Sequence, residues 1–393
     1  MSIVNKELYK YLPPRHFSAI SLSMNQFAPD KEIKDTRVVV AMSGGVDSSV
    51  AATWLHKQGY EVIGVTLQLY DVGIDLEKKG ACCAGKDIYD AKNVAERMGF
   101  AHYVLDYESI FKQEVMEDFA DSYLKGETPI PCVKCNQSVK FRDLFKVARD
   151  LNADALVTGH YVQRKLGTHG AELHKAADDG KDQSYFLFAT TQEQLEYIHF
   201  PLGGMKKEET RQMAAQFGLE IADKPDSQDI CFVPNGSYAS VIELLRPGAL
   251  DDGDIVHING TKLGRHNGII NYTIGQRKGL GIAWPEPLYV VKIDAANNVV
   301  LVGPESALAA TSFIIRDVNW LVGSTISESG MEVNIKARST QQAVEATVFP
   351  LPDNMAKIEL KSPQRAITPG QACVMYQSTR VVGGGWIVGG SQK

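Results

Sequence analysis

The chain has 393 residues, 44% hydrophobic and 22% charged, with six cysteines and a formal net charge of −6. This composition excludes collagen-like and low-complexity classes, and the length asks for two or three domains. No apolar run is long enough to span a membrane, and the start lacks the basic-then-apolar order of a secretion signal. Six cysteines are too few for a disulfide scaffold, so the expected compartment is the reducing cytoplasm, with thiols free for chemistry. The modest negative charge neither announces nor excludes a nucleic-acid partner, because a basic patch is a local property.

Residues 1–35 hold Pro13-Pro14, scattered charges and little periodicity, and read as a loosely ordered extension. Its acidic residues argue against a mitochondrial transit peptide. The run 37–42 is β-branched and apolar, as in a buried parallel strand, and 50–59 reads as a helix closed by glycine. Between them stands Ser43-Gly44-Gly45-Val46-Asp47-Ser48-Ser49. Glycines at a strand-to-helix junction let backbone N–H groups converge on an anion at the helix N-terminus. No Gly-Lys-Ser/Thr follows, and the dinucleotide spacing G-x-G-x-x-G is absent. The loop resembles instead the PP-loop of ATP pyrophosphatases, which holds the pyrophosphate part of ATP while a substrate oxygen attacks the α-phosphate. That resemblance gives Ser43 and Ser48 the hydroxyls, Gly44 and Gly45 the backbone donors, and Asp47 a place near magnesium.

Strands are expected at 61–69, 101–105 and 153–158, with helices at 86–98, 108–124 and 137–150. This alternation predicts an α/β fold with a doubly wound parallel sheet. Ligands of such sheets sit beyond the carboxyl ends of the strands, which brings the loop, the end of 61–69 and Thr158-Gly159-His160-Tyr161 into one crevice. Pro131-Cys132-Val133-Lys134-Cys135-Asn136 precedes the 137–150 helix. A CxxC is half a zinc site, a redox pair or chance; no second CxxC and no finger-spaced histidine pair completes a zinc site. Thiols just before a helix face the positive end of its dipole, which lowers their pKa, so reactive thiols are favoured here. Cys231, taken alone, reads as a buried structural cysteine, and Cys82-Cys83 and Cys373 are given the same plain reading.

Seven motifs in order identify a family resemblance across about 37–390. They are Ala-Met-Ser-Gly-Gly-Val-Asp-Ser-Ser, Cys-Asn before a helix ending in Lys-Phe, Thr-Gly-His-Tyr, Lys-Asp-Gln-Ser-Tyr-Phe-Leu, Asp-Ser-x-x-Ile-Cys-Phe, Gly-Gln-Arg-Lys-Gly-Leu-Gly and Thr-Pro-Gly-Gln. Together they resemble the bacterial tRNA-specific 2-thiouridylases, or tRNA-uridine 2-sulfurtransferases. The resemblance implies ATP-dependent thiolation of the wobble uridine: adenylation of the uracil C2 oxygen, then sulfur transfer from a cysteine persulfide. It makes Cys231 the persulfide carrier and Cys135 its nucleophilic partner. Ala41, Met42, Ser43, Gly44, Gly45, Val46, Asp47, Ser48, Leu67 and Gly159 match ATP-contacting positions. His160, Lys181, Asp182, Gln183, Arg338, Ser339 and Gln371 match tRNA contacts, and Ile130, Pro131 and Cys132 match the segment meeting the target base. The implied partners are tRNA and a persulfide donor, either a cysteine desulfurase or a sulfur carrier protein; the implied cofactors are ATP and Mg2+.

One departure stands out: many relatives have Asn-Pro-Asp where this chain has Ile130-Pro131-Cys132. The thiol could replace the Asp in proton transfer or form a regulatory disulfide with Cys135. Alternatively Cys132, Cys135 and Cys231 together could hold a [4Fe-4S] cluster with one open iron, since thiolates are the usual cluster ligands.

Pro201-Leu202-Gly203-Gly204 reads as a domain boundary, followed by helices at 207–217 and 237–245. From about residue 254, short strands and turns predict a small β-barrel, including 289–293, 299–302, 331–336, 343–349, 357–360 and 372–376. Gly275-Gln276-Arg277-Lys278-Gly279 is either a phosphate-touching loop or a solvated basic turn. The expected domains are 36–200 for ATP binding and catalysis, 201–285 as a central domain with the persulfide cysteine, and 286–393 as the barrel. Two other readings remain open: a PP-loop synthetase acting on a small molecule, which needs no paired thiols, and a non-catalytic RNA-binding protein with ATP as structural ligand.

Overall fold

A computed structural model describes residues 25–70, 83–226, 230–233, 238–323 and 326–391. Residues 1–24, Cys82 and Ser227-Gln228-Asp229 lie outside these, as does the side chain of Cys83.

The first sheet holds β1 (Arg37–Ala41), β2 (Glu61–Gln68), β3 (Ala101–Asp106) and β4 (Ala155–Thr158). A hairpin of β5 (Val162–Gly167) and β6 (Gly170–Lys175) follows, then the short β7 (Ile198–His199). The sheet is parallel, in the order β3-β2-β1-β4-β7. The central β1 carries Val38, Val39 and Val40 without solvent exposure, which explains its uninterrupted apolar run: helices cover both faces. Helix α1 (Val46–Lys57) and helix α2 (Cys83–Met98) flank it. The strand order reverses beside β1, so the crevice beyond its end is the natural ligand position.

Residues 25–35 are anchored at Asn25 and Phe27, with most of the others exposed. Phe27 sets its ring 5.0 Å from Tyr60 and 4.7 Å from His199, and Asn25 is buried. The boundary expected after residue 200 does not separate two bodies either. Leu202, Met213, Ala214 and Leu219 share one buried cluster with α1 and β1, so helix Lys207–Gln216 belongs to the first unit.

A second sheet joins β8 (Asp252–His257), β9 (Lys262–Asn267), β10 (Tyr289–Asp294) and β11 (Val299–Gly303) in the order β10-β11-β8-β9. The boundary expected at 285/286 therefore falls inside a sheet. The third holds β12 (Ala309–Trp320), β13 (Met331–Lys336), β14 (Val344–Leu351), β15 (Met355–Arg365), β16 (Ala372–Gln377) and β17 (Arg380–Ser391). Pairing of β12 with both β15 and β17 closes these six into a barrel, which leaves them no free edge. The β5–β6 hairpin attaches to its outside at Arg380 and His174.

The fold is thus an α/β unit of PP-loop type, a small central sheet domain and a C-terminal β-barrel. Among the described residues, no helix is long and apolar enough to cross a membrane.

Candidate active site

The glycine-rich loop is shaped by two glycines. Gly44 has φ +72°, and a Cβ there would stand 2.0 Å from the backbone oxygen of Asp87. A Cβ on Gly159 would stand 2.7 Å from the Ser48 nitrogen, so the end of β4 presses directly on the start of α1. Inside the loop, the Ser43 amide donates to Ser48 Oγ at 3.1 Å. Lys224 braces it from outside, donating to the Gly44 carbonyl at 2.9 Å while paired with Asp87 at 2.7 Å and Asp90 at 2.5 Å. Ala41 and Leu67, at the ends of β1 and β2, are half-buried; Met42, Val46 and Ser48 are buried and Ser43 is exposed.

Asp47 is ion-paired. Both its oxygens lie on Lys207 Nζ, at 2.7 and 2.8 Å, and Tyr161 Oη is 2.9 Å from Oδ1. The Lys207 end of this ion pair is buried, while the Asp47 side chain stays 31% exposed. Lys207 also reaches Asp226 at 2.8 Å, which in turn meets Lys181 at 2.8 Å and Arg211 at 3.1 Å. Burial alone would raise the Asp226 carboxyl, but hydrogen bonds from Lys181 and Lys207 outweigh it and hold the pKa at about 2.

The thiols lie on the far side of Gly159. Cys132 and Cys135 are not in front of a helix but inside one: the helical run starts at Pro131, in the favoured first position, and continues to Asp150. Within it Cys135–Asp143 is π-helical, a local form frequent at functional sites. Burial, the largest cause, raises the Cys135 thiol, and Cys132 is raised by the same cause. The expected lowering by the helix dipole is therefore overturned. Lys140 pulls both thiols back in the opposite direction, toward the thiolate.

Cys231 opens to solvent on one side while protein crowds the rest. That desolvation, with Cys135 and Cys132 adding to it, pushes its thiol up to about 12, and Lys140 again opposes. The next residue, Phe232, is buried edge-on between Phe111 at 5.7 Å and Phe119 at 5.3 Å, which fixes Cys231 against the 108–124 helical run. So Cys231 is exposed at the site rather than a buried structural thiol. Cys373 fits its plain reading: it lies in the barrel core, its thiol raised by burial.

All four cysteines with described side chains are free. Cys132, Cys135 and Cys231 influence one another electrostatically, yet among the described residues no three His, Cys, Asp or Glu side chains converge as a metal site. The proposed iron–sulfur ligand set is not supported.

His160 links the loop to the thiols. It follows Gly159, its Nδ1 lies 2.9 Å from Thr158 Oγ1, and burial together with Lys140 lowers its pKa to about 3, so it is a neutral imidazole. Asp182 is turned inward, accepting from the Ala176 and Ser184 amides and the Ser184 hydroxyl. Gln183 Oε1 accepts from the Tyr161 amide at 2.8 Å. All three are half-buried, and Lys181, on its ion pair with Asp226, keeps 38% of its side chain exposed.

Arg338 is half-buried, donating to the Ala366 carbonyl at 2.7 Å and to Thr368 Oγ1, with Ser339 half-buried beside it. Gln371 donates to the Thr128 carbonyl at 2.8 Å, and the Thr128 amide donates to Pro369. The barrel thus braces the chain two residues before Ile130-Pro131-Cys132. Arg277 and Lys278 are exposed.

Lys140, Lys207 and Lys224 are the site residues sequence reasoning missed. The partners of Lys207 and Lys224 are far away in sequence, so no local pattern marks those two. The one readable signal was Lys140, inside the Lys-Phe that ends the Cys-Asn helix motif.

Comparison with known proteins agrees with this arrangement. The family profile described as a tRNA methyl transferase HUP domain matches residues 36–235. A PRC-barrel profile of the same series matches 244–304, and an aminomethyltransferase β-barrel profile matches 310–387. A protein of Rickettsia felis is 61% identical over 354 residues, 90% of this chain and 97% of its own length. One from Rickettsia massiliae is 62% identical over the same shares. Both carry the name tRNA-specific 2-thiouridylase MnmA. The profile's wording speaks of methyl transfer; identity above 60% along nearly the whole chain is the stronger guide. The chain belongs to the tRNA-specific 2-thiouridylase family, sulfurtransferases that act on tRNA and use ATP through a PP-loop.

Proposed function

We propose that this chain thiolates C2 of the wobble uridine of tRNA in two chemical stages. The uracil C2 oxygen attacks the α-phosphate of ATP, pyrophosphate leaves, and the oxygen becomes the leaving group AMP. The Ser43–Ser48 loop and the N-terminus of α1 hold the phosphates through backbone N–H groups. Cys231, charged by a persulfide donor, delivers its outer sulfur to C2 and AMP departs. The Cys135 thiolate then attacks Cys231 Sγ, forming a Cys135–Cys231 disulfide and leaving the C2–sulfur bond on the base. An external dithiol reduces the disulfide for the next turnover.

The observation that carries this reading is the nearness of the loop, His160 and the thiol helix, whose Phe141 ring stands 5.9 Å from His160. The loop abuts Gly159, His160 follows it, and Lys140 acts electrostatically on His160 and on all three thiols. Lys140 is the cation that raises the thiolate share of Cys135 at the moment of attack. Its place follows from the backbone: in an α-helix, residues five apart point about 140° away from each other. The π-helical i→i+5 bonding of Cys135–Asp143 stacks position 140 over 135 instead.

The Ile130-Pro131-Cys132 segment, steadied by Gln371 and Pro369 through Thr128, is the proposed base-facing edge. Lys181, His160, Arg338 and Ser339 are the proposed RNA-facing positions. Magnesium supplies charge neutralisation of the phosphates when it binds with ATP. Asp47 does not offer it a free carboxylate here, and no step above is routed through it.

The test incubates the protein with unmodified tRNA, ATP, magnesium and a persulfide-generating desulfurase, with 2-thiouridine read by nucleoside mass spectrometry. Wild type is expected to produce it, and Cys135→Ser and Cys231→Ser to produce none. Full activity in both variants would remove the thiol mechanism.

A further inference from the structure

A chain of charges connects the glycine-rich loop to the Lys181-Asp182-Gln183 segment. Lys207 Nζ sits between two carboxylates, 2.7 Å from Asp47 and 2.8 Å from Asp226. Asp226 extends the line to Lys181 at 2.8 Å and is also held by Arg211 at 3.1 Å. A second thread runs in parallel: Tyr161 Oη touches Asp47, and the Tyr161 amide donates to Gln183. The two ends differ in exposure. The Lys207 side chain is 7% exposed, whereas Lys181 is 38% exposed.

A buried ammonium shared by two carboxylates cannot favour one without loosening its hold on the other, because little water is present to fill in. Asp178 adds a third carboxylate to the cluster, accepting from the Lys207 amide at 3.0 Å. A triphosphate at the N-terminus of α1 places new negative charge beside Asp47 and redistributes Lys207 between its two partners. Asp226 must then lean more or less on Lys181, and an RNA phosphate arriving at Lys181 acts on the same chain from the opposite end.

We propose that Lys207 is a positioning residue that couples nucleotide occupancy of the loop to tRNA binding at the Lys181 segment. The proposal rests on the reading above that the loop holds ATP and that Lys181 faces tRNA. Coupling of this kind is reciprocal: each ligand changes the affinity of the other by one common factor.

The experiment measures the affinity of the full chain for unmodified tRNA with and without saturating magnesium α,β-methylene-ATP. Nucleotide affinity with and without tRNA is measured in parallel by calorimetry. In wild type, each ligand is expected to shift the other at least about five-fold, by matching factors. Lys207→Met, which also releases Asp47 of the loop, is expected to weaken nucleotide binding without abolishing it and to bring the factor to within about two-fold of one. Lys207→Arg, which can still span both carboxylates, retains most of it. Asp226→Asn leaves Lys207 paired with Asp47 while removing the carboxylate shared by Lys207, Lys181 and Arg211; it serves where Lys207→Met does not fold, and it too abolishes the coupling. Independent binding in wild type overturns the proposal, as does coupling that survives both Lys207→Met and Asp226→Asn. A folded Lys207→Met protein unable to bind the nucleotide puts Lys207 in the nucleotide site itself and also overturns it. A wild type that binds neither ligand would instead sink the reading of the site.

Discussion

The glycine-rich loop and the thiol helix stand on opposite sides of Gly159 and are built on opposite principles. The loop is fixed by backbone fit and by ion pairs: Gly44 against Asp87, Gly159 against Ser48, Lys224 and Lys207 each bridging two acids. On the thiol helix, Lys140 is the cation that opposes the burial raising Cys132, Cys135 and Cys231. A phosphate-binding loop must be ready before its ligand arrives, because its donors act by preorganisation. A thiol that must fire once, after adenylation, is better kept protonated until then. The raised thiols are therefore the resting state of the proposed sequence.

The largest effect is expected on the loop side. Gly44→Ala adds a methyl where the backbone of Asp87 already stands and forces a side chain into left-handed φ. The combined cost is about 2–4 kcal/mol, a loss of at least about 30-fold in nucleotide affinity by calorimetry. Unchanged affinity would mean the loop is not the nucleotide site.

On the thiol side, the pH dependence is the sharper probe. Cys231 reacts as the thiolate, and its folded pKa lies far above the ordinary value. Its alkylation in the resting protein should rise about ten-fold per pH unit from 7 to 10, without a plateau. A plateau near pH 9, read on the Cys231 peptide by mass spectrometry, would show an ordinary thiol. Lys140→Gln removes the cation that opposes burial, so Cys135 alkylation at fixed pH should slow about ten-fold. No change would leave Lys140 without a role. The smallest effect belongs to the brace: Gln371→Ala loses one hydrogen bond to Thr128, about 1 kcal/mol, or about five-fold in KM for tRNA with nucleotide affinity unaltered.

What could be read in advance divides along the same line. Ser43–Ser49 and Thr158–Tyr161 were legible because turn chemistry at strand ends is local, as was the α/β alternation around them. The thiol helix was legible only from residue 137 onward. Buried positions at 131, 133, 135, 136, 138, 139, 141 and 143 follow no 3.6-residue period, because the π-helical segment breaks it, so its first turns read as loop. The dipole argument for low thiol pKa values failed with it. The long β12 was hidden in a similar way, its alternation interrupted by an irregular register between Ala310 and Ser312. The β5–β6 hairpin was missed because its strands are mostly polar and rest on the outside of the barrel. Lys207 and Lys224 sit in ordinary-looking polar stretches, and only the fold brings them to Asp47 and Gly44.

In the proposed sequence, adenylation at the loop is separable from sulfur transfer at the thiols. The direct measurement is single-turnover pyrophosphate release from the Cys135→Ser/Cys231→Ser double variant with ATP and unmodified tRNA. A burst close to one pyrophosphate per active site with no 2-thiouridine formed is expected. The absence of any burst, from a folded double variant that still binds both ligands, would contradict it.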